Sequence, residues 1–125
     1  MERRTGRTSN IILKALEIMT NSPATTVVII CHNWQNVDHI SRTVMNVSTA
    51  LGLEIVYNMS NKRLDFFRGD ERVGRIIFRA VSNIESNRFR GIKPLKLFVD
   101  HAVFEVSPLT ERQDEELRIL DTMTK

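Results

Sequence analysis

Two short phrases of this chain carry side chains that could do chemistry together: Arg3-Arg4-Thr5-Gly6-Arg7-Thr8 near one end and Leu97-Phe98-Val99-Asp100 near the other. A glycine turn followed by a cation and a hydroxyl at the start of a helix is what a phosphate cradle requires, because backbone N–H groups and a positive side chain then face the anion. The Thr8 hydroxyl would face a metal, and an apolar strand ending in Asp100 would supply a carboxylate on the metal's other side. The pairing predicts a nucleoside-triphosphate site. Thr5, Gly6, Arg7 and Thr8 would hold the nucleotide, Thr8 and Asp100 the magnesium, and Asp100 with His101 would stand at the reacting phosphate.

Other reactive residues offer less. Cys31, His32, His39 and His101 could be imagined around zinc, but their spacing matches none of the usual zinc patterns. Cys31 reads better as a small apolar residue ending a buried strand. No nucleophile, base and orienting group announce themselves as a set, since each Ser and Thr fits a cap or a turn. Trp34, the lone tryptophan, either stacks on a base or is partly buried against the sheet.

The elements that must position these groups follow from hydrophobic spacing. Thr8 or Ser9 can cap a first helix with apolar positions Ile12, Ala15, Leu16 and Met19, ending near Asn21-Ser22-Pro23. Thr26 to Cys31 is a continuous β-branched run, the mark of a strand covered on both faces. Val37, Ile40, Val44, Val47 and Leu51 form a helical stripe closed by Gly52. Leu53 to Tyr57, Arg63 to Phe67 and Val73 to Ala80 read as three strands, with links too short for parallel crossovers, so part of this region is expected to be antiparallel. Leu95 to Val99 returns to the buried-strand pattern, and Ser107-Pro108 opens a last helix with a capping-box spacing from Thr110 to Gln113. Ligands of such α/β sheets bind beyond the carboxyl ends of the parallel strands, where Cys31-His32 and Asp100-His101 would meet.

Composition sets the outer bounds. At 125 residues and 42% hydrophobic, the chain suits one domain, 1-125, with a real core. No apolar run approaches the roughly 20 residues of a membrane span, and no secretory leader is evident. One cysteine and these absences predict a soluble protein of the cytoplasm, the host cytoplasm if the chain is viral. The net charge of +3 is unevenly spread: Lys62 to Lys96 holds ten Lys and Arg against Asp65, Asp70, Glu71 and Glu85, whereas the chain beyond Leu97 is mainly acidic. The basic segment is a plausible phosphate-facing surface for DNA or RNA.

In the order of these phrases the chain resembles the P-loop NTPases, in particular their helicase-like and phage terminase-like branch. Arg3 to Thr8 resembles an RRxGKT phosphate loop, TVVIICHN a second strand with its loop, and RIIFRAVSN, Arg90-Gly91 and LKLFVDHA a strand, an Arg-Gly loop and an acidic strand end. The resemblance implies a three-layer α/β sandwich around a mostly parallel sheet with an added antiparallel hairpin region. It implies ATP and magnesium as cofactors, and it places Arg90 and Gly91 in a loop that touches the nucleotide or couples it to nucleic acid. A phage or mobile-element setting, with homo-oligomers or a larger phage assembly, also follows from it. Met1 stands where the first glycine of that motif falls, Arg7 replaces its lysine, His101 replaces the acid after Asp100, and no strand precedes Gly6. Arg is a planar fork and no simple substitute for an ammonium, so slow or absent hydrolysis is expected. The second expectation, from a different class, is a non-enzymatic module whose basic region binds nucleic acid or an acidic protein.

Overall fold

The computed structural model describes residues 2–22, 25–105 and 108–124, with side chains from Asn10 onward. Its centre is β1 (Thr26–Cys31), buried at all six positions. Alternate residues face opposite sides of a strand, so Val27, Ile29 and Cys31 enter one core and Val28 and Ile30 another. A strand buried at every position must lie in the middle of a sheet with cover on both faces. That is where β1 lies, in the order β2-β3-β4-β1-β5.

The first core is closed by two helices. α1 (Glu2–Asn21) turns Ile12, Ala15, Leu16 and Met19 to the sheet, and α2 (Trp34–Ala50) turns Val37, Ile40 and Val44. Asn33 caps α2, its Oδ1 accepting from the Asn36 N–H at 2.9 Å. At the other end Gly52 takes φ +82°, which L side chains rarely adopt, so the chain can reverse into the next strand. The strands β3 (Arg63–Arg68) and β4 (Glu71–Ala80) add Leu64, Phe66, Ile76 and Phe78 to this core, and β2 (Glu54–Asn58) packs Ile55 and Tyr57 against it.

The second core is smaller and covers less of the sheet. Two short 3-10 turns, Val81–Asn83 and Ser86–Phe89, carry the chain from β4 to β5 (Leu95–Val99). A one-turn helix α3 (Ala102–Glu105) and α4 (Glu111–Met123) complete the cover, with Val81, Ile84, Phe89, Val103, Leu117 and Leu120 packed on Val28, Ile30 and Ile77. The capping box of α4 is present in both halves: the Gln113 N–H donates to Thr110 Oγ1, and the Thr110 N–H donates to Gln113 Oε1, each at 3.1 Å. Among the described residues no helix is long and apolar enough to cross a membrane.

Two expectations need correction. The sheet is mixed, not mostly parallel: β1 is parallel to β4 and β5, but β3 is antiparallel to both β2 and β4. The cause is the pair of tight links at Asn58–Arg63 and Arg68–Glu71, which cannot carry a parallel crossover. Helices therefore lie on both faces only around β1, and the P-loop-like sandwich is not the architecture of this chain. The second correction concerns the start of the first helix. It begins at Glu2, not at Thr8 or Ser9, so Gly6 lies inside a helix and forms no turn.

Gly74 in β4 allows α1 to approach this closely. A Cβ there would lie 2.5 Å from Met19 Sδ and 2.9 Å from Met19 Cβ, nearer than real Cβ atoms come. Gly74→Ala is expected to destabilise the protein by about 1–3 kcal/mol, the usual range for overpacking. Chemical denaturation measures it, and the loss should shrink when the same change is made in a Met19→Ala background.

Candidate functional site

The carboxyl ends of the three parallel strands form one rim, as expected for ligand sites of open sheets. β1 hands the chain to α2 on one face, while β5 hands it to α3 and α4 on the other, so the ends of β1 and β5 flank a point where the connections diverge. There the Asp100 N–H donates to the Ile30 carbonyl at 2.8 Å, which sets Asp100 beside Cys31. Asp100 is 3% exposed, and its Oδ1 lies 3.5 Å from His101 Nδ1. Burial, with the Asp100 charge adding to it, pushes the Cys31 thiol up to about 12. Cys31 is therefore a neutral thiol near neutral pH and neither a nucleophile nor a ready metal ligand.

The phosphate-cradle residues are arranged differently from the expectation. In a helix begun at Glu2, amide N–H groups from Gly6 onward point at carbonyls four residues back, and so are not available to surround an anion. The side chains of Thr5, Arg7 and Thr8 lie outside the described part of the chain. Arg90 and Gly91 follow the second 3-10 turn and lead into the amino end of β5, where the Thr26 N–H donates to the Pro94 carbonyl. They line a groove of about 400 Å³ with Ile92, Lys93 and the end of α4. Asp100 stands past the opposite end of β5, so the structure does not bring Arg90 and Gly91 to it. Among the described residues no three His, Cys, Asp or Glu side chains converge as metal ligands. A magnesium ion at Asp100 would have to complete its shell with phosphate oxygens and water, a mode that magnesium does use.

A different cluster forms beside this rim, past the end of β4. A small polar cavity of about 180 Å³ is lined by Trp34, Lys62, Arg79, Asn83, Glu85 and Arg88, among others. Each side chain is placed by its own element. Trp34 opens α2, and its indole N–H donates to Asn83 Oδ1 at 3.2 Å, which fixes the ring while leaving it 37% exposed. Arg79 leaves β4 near its end; its Nη1 donates to the carbonyls of Asn61 at 2.6 Å and Phe78 at 2.7 Å, and its guanidinium sits 5.9 Å from the centre of the Phe89 ring. Burial first, then repulsion from Arg88, draws the Arg79 pKa below its ordinary value. Lys62, at φ +50° in the link before β3, and Arg88, in the 3-10 turn, are paired loosely with Asp38 at 3.8 Å and Glu85 at 3.4 Å.

These residues belong to the basic segment read from the sequence, yet nothing in their spacing shows that Lys62, Arg79 and Arg88 would converge. They come from three loops or strand ends, 17 and 9 positions apart. Compared with protein-family profiles, curated proteins and solved structures, the chain matches none of them.

The state of Cys31 gives a direct check on the rim. Native protein at pH 8 should resist iodoacetamide and react rapidly once unfolded in guanidinium; reaction of the native protein at the unfolded rate would refute the burial. The sign of the pH effect follows from the raised value. The stability contributed by the buried neutral thiol is full below its unfolded value of 9.0 and is lost as pH rises towards about 12. Cys31→Ala should therefore make the alkaline fall of the melting temperature shallower.

Proposed function

We propose that this protein is a nucleic-acid-binding module that takes phosphates on Lys62, Arg79 and Arg88 and one base against Trp34. The observation that carries the reading is the convergence of three cations and an oriented, partly exposed indole in one polar cavity. Three cations against two acids, Asp38 and Glu85, leave the cavity net positive, which attracts a phosphate backbone, and an aromatic face accepts any base by stacking. An exposed tryptophan also gives a stacking surface that a purely electrostatic patch lacks.

Binding of ATP with magnesium at Asp100 is the second reading. It is favoured by the burial of that carboxylate at the strand-end rim, beside His101. The Thr5 to Thr8 phrase would not serve it as a loop, so the phosphates would need other donors.

Because Trp34 is the lone tryptophan, its fluorescence reports directly on the cavity. A short oligothymidine should quench it, and Lys62→Ala or Arg88→Ala should each weaken binding several-fold. The logarithm of affinity should fall with the logarithm of salt concentration with a slope of about −2, from three phosphate contacts on a single strand. Absence of quenching, or an affinity indifferent to salt, would overturn the reading. MgATP binding abolished by Asp100→Ala, with oligonucleotide leaving the signal unchanged, would replace it with the second.

A further inference from the structure

The helical layer over the second core ends at β4, and the same face of β2 and β3 is left open. Val56 on β2 is 57% exposed there. The register sets Val56 opposite Asp65 and Asp65 opposite Arg75, one row across the three strands; the next rows hold Asn58, Arg63 and Ile77 to one side and Glu54, Phe67 and Arg72 to the other. Asp65 is 8% exposed and lies under three guanidinium groups: Arg75 Nε at 2.7 Å, Arg63 Nε at 3.2 Å and Arg72 Nη1 at 3.8 Å. Asp65 and Glu54, the β2 partner of Phe67 on the same face, are two carboxylates against three guanidinium groups, so one positive charge remains on this face. Arg63 and Arg75 both reach Asp65 through Nε. These bonds hold each planar group in place.

The array joins the rim cavity. Arg63 is the first residue of β3 and follows Lys62 directly, and the carbonyl of Asn61, one residue earlier, accepts from Arg79. Strand alternation sets Phe67, half-buried, on the same side as Asp65, next to Arg72. From Arg72 to Arg79 the strip is about 20 Å long at the rise of a β-strand. Its components are fixed guanidinium forks, an exposed Val and a partly exposed Phe on an uncovered sheet.

Resting on the nucleic-acid reading above, we infer that this open face is the track of a single strand, which leaves the Trp34 cavity and crosses β3 and β4 with its phosphates on Arg63, Arg72 and Arg75. The ring of Phe67 and the side chain of Val56 lie under the bases. A pleated sheet face presents such groups to unpaired bases, whereas a stacked duplex keeps its base faces hidden. An acidic protein would meet the charges but would have no use for the row of guanidinium forks alternating with apolar side chains. The track gives an occluded length of about four to six nucleotides, at the short end for proteins that bind single strands.

Fluorescein-labelled oligothymidines of two, four, six and ten nucleotides, a duplex of ten base pairs and a poly-glutamate peptide test this by anisotropy, alongside Trp34 quenching. Affinity is expected to rise with length and level off near six nucleotides, with duplex and poly-glutamate at least tenfold weaker. Arg72→Gln and Val56→Glu, both at exposed positions and away from the cavity, should lower affinity for the six-nucleotide strand by about fivefold to tenfold and leave the dinucleotide unchanged. Arg75→Gln should do the same, with circular dichroism confirming that it folds. Dinucleotide and six-nucleotide strands binding equally well, or Arg72→Gln and Val56→Glu both without effect, would overturn the track while leaving the cavity reading intact. Poly-glutamate or duplex binding as tight as the six-nucleotide strand would overturn it as well. No quenching by any oligonucleotide would instead strike the reading on which it rests.

Discussion

The structure depends on the burial of β1 on both faces. Six consecutive residues with almost no exposed surface cannot be satisfied by one helical layer, so the chain must supply cover from two directions. α1 and α2 give the first cover, and the 3-10 turns with α3 and α4 give the second. With β1 central and parallel to both neighbours, the ends of β1, β4 and β5 share one rim. The proximity of Cys31 to Asp100 follows from that arrangement, as does the position of Arg79 at the end of β4. Each fully buried aliphatic side chain of β1 contributes about 1.5–3 kcal/mol, so a polar substitution there would disturb both layers at once.

The second core is shorter than the sheet, and this mismatch divides the molecule. Where the helices reach, the sheet is sealed on both sides. Beyond β4 it is a two-layer structure with one face open to water, and there the alternation of residues changes character. Leu64 and Phe66 point into the first core, while Arg63, Asp65 and Phe67 point away from it. A carboxylate that is nearly buried on an open face needs partners, and the neighbouring arginines supply them. Asp65 thus organises cations that would otherwise move independently, at the point where an antiparallel hairpin meets the parallel half of the sheet.

Much of the framework was legible because it rests on local signals. The β-branched run Thr26 to Cys31, the return at Leu95 to Val99 and the Thr110 to Gln113 cap all fall where the structure has them. The turn at Gly6 was the main misreading of the backbone. A short phrase of Arg, Thr and Gly has no fixed conformation of its own, and a glycine within a helix costs only about 1 kcal/mol relative to alanine. The helix continues through it, with its buried stripe beginning at Ile12. The mostly parallel sheet was likewise inferred from a resemblance, against the short links that already required antiparallel pairing. The open sheet face could have been found from β3 and β4, where charged and apolar residues alternate.

Sequence alone determined the five strands and the longer helices apart from the start of α1, the two-sided burial of the central strand and the excess of cations between Lys62 and Lys96, because periodicity, capping and composition are properties of neighbouring residues. Tertiary structure decided which cations stand together. Lys62, Arg79 and Arg88 meet around Trp34, and Arg63, Arg72 and Arg75 around Asp65, through strand register and the reach of the helical cover. Those are relations between distant parts of the chain, fixed only when the sheet closes around β1, and no local pattern of charge encodes them.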